Sequence, residues 1–389
     1  MARIVKKFGG TSVADVDRIK SVAKTVAKAF NNGDEVVVVL SAMSGMTNRL
    51  VGYCREAAPM HDAREYDAVV SAGEQITIGL LSIALQELGV PARSFLGWQV
   101  PIRTTNVHGS DRIEKIETEK LEECLKGGRV AVVAGFQGIA DDNRITTLGR
   151  GGSDTSAVAI AAALKADRCD IYTDVEGVYT TDPRMVPKAR KLEKITHEEM
   201  LEMASLGAKV LQTRSVALAM VYGVRTQVLS SFKDVPGTLV VGEDEIVEKE
   251  VVTGIAYSRG EAKVTVVGLE DSPGRVSNLF APLADEAVNV DMIVQSASDD
   301  GRSTDVTFTV PEDDLNRVVK ILEGLKDTLK YRTLLSTGDV VKVSVIGVGM
   351  RSHVGVARKM FDTLAEKSIN VQVIATSEIK ISVIIDAEY

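Results

Sequence analysis

The chain has 389 residues, a formal net charge of −8 and no basic tail. Its length exceeds what one ordinary core accommodates, so we expect two or three domains. The acidic balance argues against nucleic acid or an anionic membrane surface as the main partner. The three cysteines and four histidines are scattered without zinc-ligand spacing, which favours reduced thiols, no dedicated metal ligands and a cytoplasmic location. Apolar runs such as residues 36–40 are too short to span a bilayer, and the N-terminus does not resemble a secretion signal.

The N-terminal segment predicts a βαβ unit. Residues 3–8 form a strand pattern that ends in Gly9-Gly10-Thr11-Ser12, and residues 16–30 carry apolar side chains at helical spacing. Ser12 or Asp15 is available to cap that helix. Residues 36–40 are continuously apolar, as in the buried strands of parallel sheets. The hydroxyl-rich loop 41–48 follows, at the strand end where open α/β sheets bind ligands.

The next segment predicts helices around one unusual carboxylate. Residues 65–88 indicate a single long helix in which Glu74 follows Ala72 and Gly73. A solvated turn is the alternative explanation of that carboxylate. Residues 92–96 predict a strand, and residues 113–125 predict a charged surface helix.

A glycine-rich loop at residues 148–155 lies between a predicted strand (129–136) and a predicted buried helix (156–166). Such a loop offers backbone N–H groups and the positive end of a helix dipole to an anion. Arg150 adds a planar guanidinium, while Asp154 is placed to cap the helix or to face a metal. A tight strand-to-helix turn is the alternative, but the arginine and aspartate favour an anion site.

The remaining elements complete one α/β domain. Residues 169–173 predict a strand, and the polar loop that follows to residue 184 suits nucleotide contacts or is a Pro- and Gly-shaped surface connection. Helices are predicted at 197–204 and 214–222, joined by Gly207-Ala208-Lys209, and strands at 226–230 and 238–241. We expect this domain to span residues 1–241, followed by an acidic linker at 242–250.

The C-terminal part contains an internal repeat. Residues 263–268 (KVTVVG) return as residues 342–347 (KVSVIG), Gly274 returns as Gly355, and residues 289–291 return as 370–372. Each repeat predicts strand, turn, helix, strand, strand, which is part of a βαββαβ sandwich. We expect a regulatory region at 251–389 with units near 263–335 and 340–389, the second completed by 251–262.

Five motifs together resemble the aspartate kinase family, amino-acid kinases with tandem ACT domains. They are residues 7–13 (KFGGTSV), 41–47, 72–74, 148–155 and 173–184. The resemblance implies an α/β fold in which an open sheet sandwiched by helices precedes two ferredoxin-like ACT domains. It implies phosphorylation of the aspartate side chain by ATP with Mg²⁺, the first step towards lysine, threonine and methionine, with feedback by lysine, threonine or both. In that family pattern a further helix and short strand follow residue 386, so we expect either that another segment or subunit completes the last unit or that the chain is shortened.

The same resemblance assigns roles to residues. Lys7 and Lys209 would neutralise phosphate charge, Gly9 and Gly10 would let the backbone approach it, and Arg150 and Asp154 complete the expected catalytic group. The expected aspartate contacts are Ser41, Thr47, Glu74, Arg150, Gly151 and Ser153. The expected ATP contacts also include Thr173, Asp174, Tyr179, Asp182 and Arg184. The expected effector contacts are Asp271, Pro273, Gly274, Asn289, Asp291, Gln295, Asn370, Ser377 and Glu378.

The residue inventory agrees with this chemistry, because an aspartate carboxylate is already ionised near neutral pH and needs no general base. Phosphoryl transfer instead needs alignment and charge cancellation. Two alternatives are a kinase for another amino acid and a non-catalytic ACT-type amino-acid sensor. We expect a homo-oligomer formed through ACT domains, with a separate ACT-only subunit as a further option.

Overall fold

The structure is a computed structural model that describes residues 1–208, 210–246, 250–297 and 303–389. Lys209 and residues 247–249 of the predicted linker lie outside the described residues. The chain divides into two compact units, Met1–Glu248 and Lys249–Tyr389.

The first unit is built on an eight-stranded sheet and a small four-stranded sheet. Its strands are β1 (Arg3–Phe8), β2 (Glu35–Leu40), β3 (Ala92–Phe95), β4 (Ile102–Thr104), β5 (Ile113–Ile116), β6 (Val130–Ala134), β7 (Gln137–Ile139), β8 (Ile145–Thr147), β9 (Arg168–Thr173), β10 (Lys194–Thr196), β11 (Thr226–Ser230) and β12 (Thr238–Val241). Its helices are α1 (Val16–Asn31), α2 (Met46–Ala57), α3 (Ala63–Val70), α4 (Ala72–Glu87), α5 (Glu119–Lys126), α6 (Gly152–Ala163), α7 (His197–Ser205) and α8 (Thr213–Tyr222).

The large sheet has the order β10-β12-β11-β9-β1-β2-β6-β3. β1 pairs in parallel with β2 and β9, and β2 pairs in parallel with β6, so their carboxyl ends meet at one edge. β2 and β6 are buried over almost their whole length, as their continuous apolar runs predict. α1 packs its apolar face against this sheet, and Asp15 caps it by accepting a hydrogen bond from the Arg18 amide at 2.8 Å.

Three predicted elements in this unit were wrong in detail. The predicted helix 65–88 is two helices, because a turn at Ser71 separates α3 from α4. Residues 113–116 form the edge strand β5 rather than the start of a surface helix, since they pair with β4. The helix after the glycine-rich loop begins at Gly152 rather than at residue 156, so the last glycine of the loop is already helical.

One helical stretch of the described residues, Ala63–Glu87, is long and apolar enough to cross a membrane by length and composition. Ile78, Leu81 and Leu85 on this stretch belong to the buried core beneath the large sheet. Burial of this kind is typical of a core helix in a soluble protein.

The second unit contains one six-stranded antiparallel sheet. Its strands are β13 (Gly254–Glu270), β14 (Asp291–Ala297), β15 (Ser303–Pro311), β16 (Thr333–Ile346), β17 (Val373–Thr376) and β18 (Lys380–Asp386), and its helices are α9 (Arg275–Asp285), α10 (Leu315–Gly324), α11 (Lys326–Leu329) and α12 (Val356–Glu366). The strand order is β14-β15-β13-β16-β18-β17.

The sequence repeat is a structural repeat. β13-α9-β14-β15 and β16-α12-β17-β18 follow the same order, and each helix starts after a left-handed glycine, Gly274 (φ 89°) or Gly355 (φ 98°). The long strands β13 and β16 each contribute to both repeats. Residues 254–258 of β13 pair with residues 342–346 of β16, and residues 263–267 pair with residues 333–337.

Candidate active site

The loops after β1, β2, β6 and β9 meet at the carboxyl edge of the large sheet. The Gly9 amide donates to the Tyr172 carbonyl of β9 at 3.4 Å, and the Gly135 amide donates to the Leu40 carbonyl of β2 at 2.9 Å. These contacts bring the glycine pair after β1 beside the loops that the sequence singled out. An open α/β sheet binds ligands at this position.

Lys7 and Asp154 form an ion pair at this edge. The Lys7 Nζ lies 2.5 Å from Asp154 Oδ1, and both side chains are about nine-tenths buried. Asp154 was predicted as a helix cap or a metal-facing residue. It caps nothing, because it already lies in the first turn of α6 and points at the lysine. Its Oδ1 accepts no aligned hydrogen bond, so the contact is an electrostatic pair.

The backbone can approach this lysine closely only where side chains are small. A Cβ on Gly9 would lie 3.4 Å from the Lys7 Nζ, and a Cβ on Gly10 would lie 3.1 Å from the Ala42 carbonyl oxygen. The Gly10 contact is tight, so a side chain there would press on the loop after β2, whereas the Gly9 contact is an ordinary van der Waals distance beside the Lys7 ammonium. An anion that enters this space meets a cation and unencumbered backbone.

Glu74 is a buried carboxylate in the first turn of α4. Its Oε1 accepts a hydrogen bond from the Ala42 amide at 3.0 Å, whereas Oε2 has no partner among the described residues. Burial raises the pKa of Glu74 to about 7, although the Ala42 amide opposes this rise. The predicted alternative of a solvated turn is wrong, since the side chain is only 2% exposed. Glu74 therefore offers one unused oxygen beside the loop after β2.

Gly73 explains how Glu74 reaches that loop. A Cβ on Gly73 would lie 2.7 Å from the Ala42 Cβ, which is closer than carbon atoms approach. The helix start therefore packs directly on the loop. Ser41, predicted as a substrate contact, is the half-buried residue before Ala42, and Thr77 Oγ1 donates to its carbonyl at 2.9 Å. Thr47 is half-buried in the first turn of α2.

The glycine-rich loop adopts two left-handed turns before α6. Gly149 and Gly151 have φ values of 73° and 71°, a conformation that glycine adopts without strain. Gly135 leaves room for the start of α6, since its Cβ would lie 2.8 Å from the Ser153 Cβ. Ser153 is thus buried at the sheet edge, while Arg150 is exposed on the loop. This arrangement leaves the Arg150 guanidinium accessible to a ligand.

The predicted ATP contacts divide into two groups. Thr173 ends β9 and the exposed Asp174 follows it, with the Thr173 hydroxyl donating to Asp174 Oδ1 at 3.1 Å. Further along the loop, Tyr179 pairs with Lys191 in a short bridge. Asp182 and Arg184 bind each other at 2.8 Å, which lowers the pKa of Asp182. No described contact ties these last three residues to the Lys7 pair, and Lys209 lies outside the described residues.

The predicted effector contacts lie on the second unit, and most are exposed. Asp271, Pro273 and Gly274 form the turn before α9, while Asn370, Ser377 and Glu378 flank β17. β14 and β17 are the two ends of the sheet, yet Met292 and Val294 pack against Val373 and Ala375 in one cluster. The structure therefore brings the neighbourhoods of Asp291 and Asn370 towards each other.

Sequence reasoning missed one hydroxyl pair at the sheet edge. Ser12 Oγ lies 2.6 Å from Ser231 Oγ, and the Ser231 amide donates to the Thr173 carbonyl at 2.9 Å. Ser231 directly follows β11, which pairs in parallel with β9. The rule that located Ser41 and Thr173, a polar residue at the end of a parallel strand, also finds Ser231.

Comparisons with known proteins identify the class of protein that this site belongs to. A family model described as "Amino acid kinase family" matches residues 2–230, and one described as "ACT domain" matches residues 264–324 and 343–389. The fold is thus that of an amino acid kinase followed by ACT domains.

Full-length relatives identify the particular family. An aspartate kinase of Stutzerimonas stutzeri is 52% identical, and the match covers 100% of this chain and 94% of the relative. The solved E. coli aspartokinase III in complex with aspartate and ADP has a TM-score of 0.81 at 28% identity, covering 99% of this chain and 96% of that chain. Its complex with lysine and aspartate has a TM-score of 0.79 at 29% identity, with the same coverage. The chain belongs to the aspartate kinase family.

Proposed function

We propose that the chain transfers the γ-phosphoryl group of ATP to the side-chain carboxylate of aspartate at the carboxyl edge of the large sheet. The observation that carries this proposal is the convergence there of a buried lysine, two glycine-lined loops and a buried glutamate with one unused oxygen. The lysine and the glycine-lined loops suit the polyphosphate of ATP, and the glutamate suits the ammonium of an amino acid.

We propose that Glu74 binds the ammonium of aspartate. Its Oε2 lacks a partner in a buried position, and an incoming ammonium would supply both a hydrogen bond and a positive charge. Arg150 on the accessible loop would pair with a carboxylate of the same substrate. Ser41, Thr47, Gly151 and Ser153 would complete the contacts.

We propose that Lys7 binds the transferring phosphate, assisted by Lys209. The ion pair with Asp154 holds the Lys7 ammonium at the sheet edge. As phosphate charge arrives, the lysine exchanges part of this contact for the phosphoryl oxygens, which stabilises charge in the transition state. Gly9, Gly10, Thr173, Asp174, Tyr179, Asp182 and Arg184 would line the rest of the ATP site.

We propose that Mg²⁺ accompanies ATP. Mg²⁺ keeps much of its water shell and uses phosphate oxygens with one or two carboxylates. Asp154 fits this requirement, because its Oδ1 is buried, accepts no hydrogen bond from the described residues and forms an ion pair with Lys7. When bound, the ion would neutralise phosphate charge; the chain's own groups would orient the two substrates.

We propose that the second unit is a pair of ACT domains, near 263–335 and 340–389, that binds lysine, threonine or both. The approach of β14 and β17 supports one effector region built from both repeats. The antiparallel pairing of residues 254–258 with β16 supports the proposal that the segment 251–262 completes the second ACT domain. A cytoplasmic homo-oligomer formed through these domains, with or without an ACT-only subunit, accords with this arrangement.

The proposal is tested by trapping the acyl phosphate product. The full chain is incubated with ATP, Mg²⁺ and aspartate in the presence of hydroxylamine, and hydroxamate is measured with lysine and threonine added singly and together. We expect aspartate-dependent hydroxamate that at least one of these effectors suppresses. Product from glutamate or acetylglutamate instead of aspartate would favour another amino-acid kinase, and amino-acid binding without ATP turnover would favour a sensor.

A further inference from the structure

A second cluster of ionisable side chains lies outside the sheet edge. Asp67 on α3 and His108 and Asp111 on the loop between β4 and β5 are all buried, with one potential ligand atom from each within 4.8 Å of those of the other two. Asp67 and Asp111 are fully buried, and His108 is 9% exposed. Two carboxylates so deeply buried require compensation.

Hydrogen bonds fix most atoms of this cluster. Asp67 accepts from the Thr147 hydroxyl at 2.5 Å, from the Gly109 amide at 3.2 Å and from the His108 ring at 2.8 Å. Asp111 Oδ1 accepts from the Thr105 hydroxyl and the Val107 amide, both at 3.0 Å. These bonds determine the orientation of all three side chains.

Two buried atoms of the cluster remain without any partner among the described residues: His108 Nε2 and Asp111 Oδ2. Since His108 Nδ1 donates to a carboxylate, the neutral ring carries its lone pair on Nε2. Both atoms are then acceptors. A neighbouring cation, Arg214, does not serve them, because its guanidinium donates to the main-chain carbonyls of Asp111 and Leu148 at 2.6 and 2.9 Å.

We propose that His108 Nε2 and Asp111 Oδ2 bind one divalent transition-metal ion of the Zn²⁺ type, with water as the remaining ligands, and that Asp67 orients the His108 ring from its other nitrogen. A histidine whose second nitrogen is held by a carboxylate is the usual arrangement of a zinc-ligating histidine. One imidazole nitrogen with carboxylate oxygens suits Zn²⁺ better than Mg²⁺, which prefers oxygen ligands alone. A divalent ion also balances the two buried negative charges.

The site has a structural consequence for the glycine-rich loop. The Asp111 amide donates to the Thr147 carbonyl at 2.9 Å, and Thr147 also holds Asp67. Residue 147 is the last of β8 and immediately precedes the loop that carries Arg150. A bound ion would therefore join α3, the loop after β4 and the start of the glycine-rich loop.

The test measures Zn²⁺ binding to the full chain in buffer without Mg²⁺ or ATP. The protein is stripped with a chelator, dialysed and titrated with Zn²⁺, and bound metal is counted by mass spectrometry alongside thermal unfolding. We expect one Zn²⁺ per chain, retained in a 100-fold excess of Mg²⁺, and a higher Tm. Asp111→Asn should weaken binding by at least about 100-fold, because even indirect ligand contacts contribute 10- to 100-fold.

Matched variants separate this site from adventitious binding. His108→Asn removes the imidazole, and asparagine tolerates the left-handed backbone of that residue (φ 58°). His61→Gln, at an exposed histidine, should bind Zn²⁺ as the unmodified chain does. Absence of stoichiometric uptake by the unmodified chain would overturn the proposal, even if the variants failed to fold. Equal uptake by Asp111→Asn and the unmodified chain would overturn it as well.

Discussion

Glu74 illustrates at the scale of one residue how a binding group reduces stability. Its carboxyl has a pKa of about 7 because burial penalises the charged form. When the pKa of a carboxyl is higher in the folded state than in the unfolded state, the folded protein binds the proton more tightly. The resulting stability is fully present below the unfolded pKa, near 4.5, and is lost as pH rises through the folded pKa of about 7. At pH 8 the ionised side chain therefore reduces the free energy of unfolding by about 3 kcal/mol. Substrate ammonium would relieve this cost.

Glu74→Gln should accordingly be more stable and less active. At pH 8 and without substrate we expect a higher Tm than that of the unmodified chain, with the difference vanishing towards pH 4.5. The KM for aspartate should rise about 10- to 100-fold, because a charge-assisted hydrogen bond is lost. In the unmodified chain the KM should also rise as pH falls below 7, and Glu74→Gln should lack this dependence.

Glu87→Gln is the matched control for this prediction. Glu87 is an exposed residue at the end of the same helix, so its replacement should leave both the KM and the pH dependence of stability unchanged. Identical pH profiles for Glu74→Gln and Glu87→Gln would show that Glu74 is not the titrating group.

Lys7 and Lys6 are neighbouring residues with different expected effects on kcat. Lys7→Ala should lower kcat by about 10² to 10³-fold, because a charge that stabilises the transition state is removed, and should also lower Tm, because the buried Asp154 loses its ion-pair partner. Lys6 points to the other face of β1, where it is buried against Asp170 at 2.8 Å. Lys6→Met should lower the free energy of unfolding, because a buried ion pair is broken. The loss should be limited to about 2–3 kcal/mol, because Arg168 still pairs with Asp170. The variant should retain kcat at low temperature. A Lys7→Ala variant with near-normal kcat would remove Lys7 from the mechanism.

At the scale of one element, α4 contains a pair of glycines with different surroundings. A Cβ on Gly73 would collide with Ala42, whereas a Cβ on Gly79 meets no atom within 4 Å. Gly73→Ala must displace the helix start that carries Glu74, so we expect the KM for aspartate to rise at least about 10-fold. Gly79→Ala should leave kinetics unchanged and stabilise the helix by up to about 1 kcal/mol. Equal kinetics for the two variants, measured side by side, would show that the helix start does not position Glu74.

The sequence pattern predicted those strands and helices whose structure is determined by their own residues rather than by pairing with a distant segment. The strand β1 was predicted from its alternating pattern and β2 and β6 from their apolar runs, and the repeat predicted the order of the second unit. The break at Ser71 was missed, because both flanking segments have helical patterns and the nearest glycine, Gly73, is already helical in α4. β5 was missed because its pairing with β4 decides its structure, and that pairing is not visible in the charged sequence.

At the scale of the whole molecule, the site could be predicted only residue by residue. Motifs identified Lys7, Glu74 and the glycine-rich loop, but not the pairing of Lys7 with Asp154, because the two are distant in sequence and meet through the sheet. Asp67 could not be joined to His108 and Asp111 for the same reason, although those two residues share one loop. A search for closely spaced ligands finds only those that share one loop or helix.

The second unit shows a long-range pattern that follows from its repeat. Lys342 Nζ binds Asp291 at 2.7 Å and Glu261 at 3.2 Å, while Lys263 Nζ binds Gln372. Lys263 and Lys342 are equivalent in the repeat, as are Asp291 and Gln372. Each repeat thus reaches the other with its lysine, but the acceptor is charged in one case and neutral in the other.

This asymmetry gives a prediction about effector binding, which rests on the proposed ACT function. Partial burial would raise the pKa of Asp291, but Lys342 more than offsets this and lowers it, so Asp291 is an anion that an effector ammonium can share. Asp291→Ala should raise the effector concentration for half inhibition at least about 10-fold with kcat unchanged, because Lys342 keeps its pairing with Glu261. Gln372→Ala, at the equivalent neutral position, should shift inhibition much less. If the two variants shift inhibition equally, the charge at Asp291 is not what binds the effector, and if neither does, the effector region lies elsewhere on the second unit.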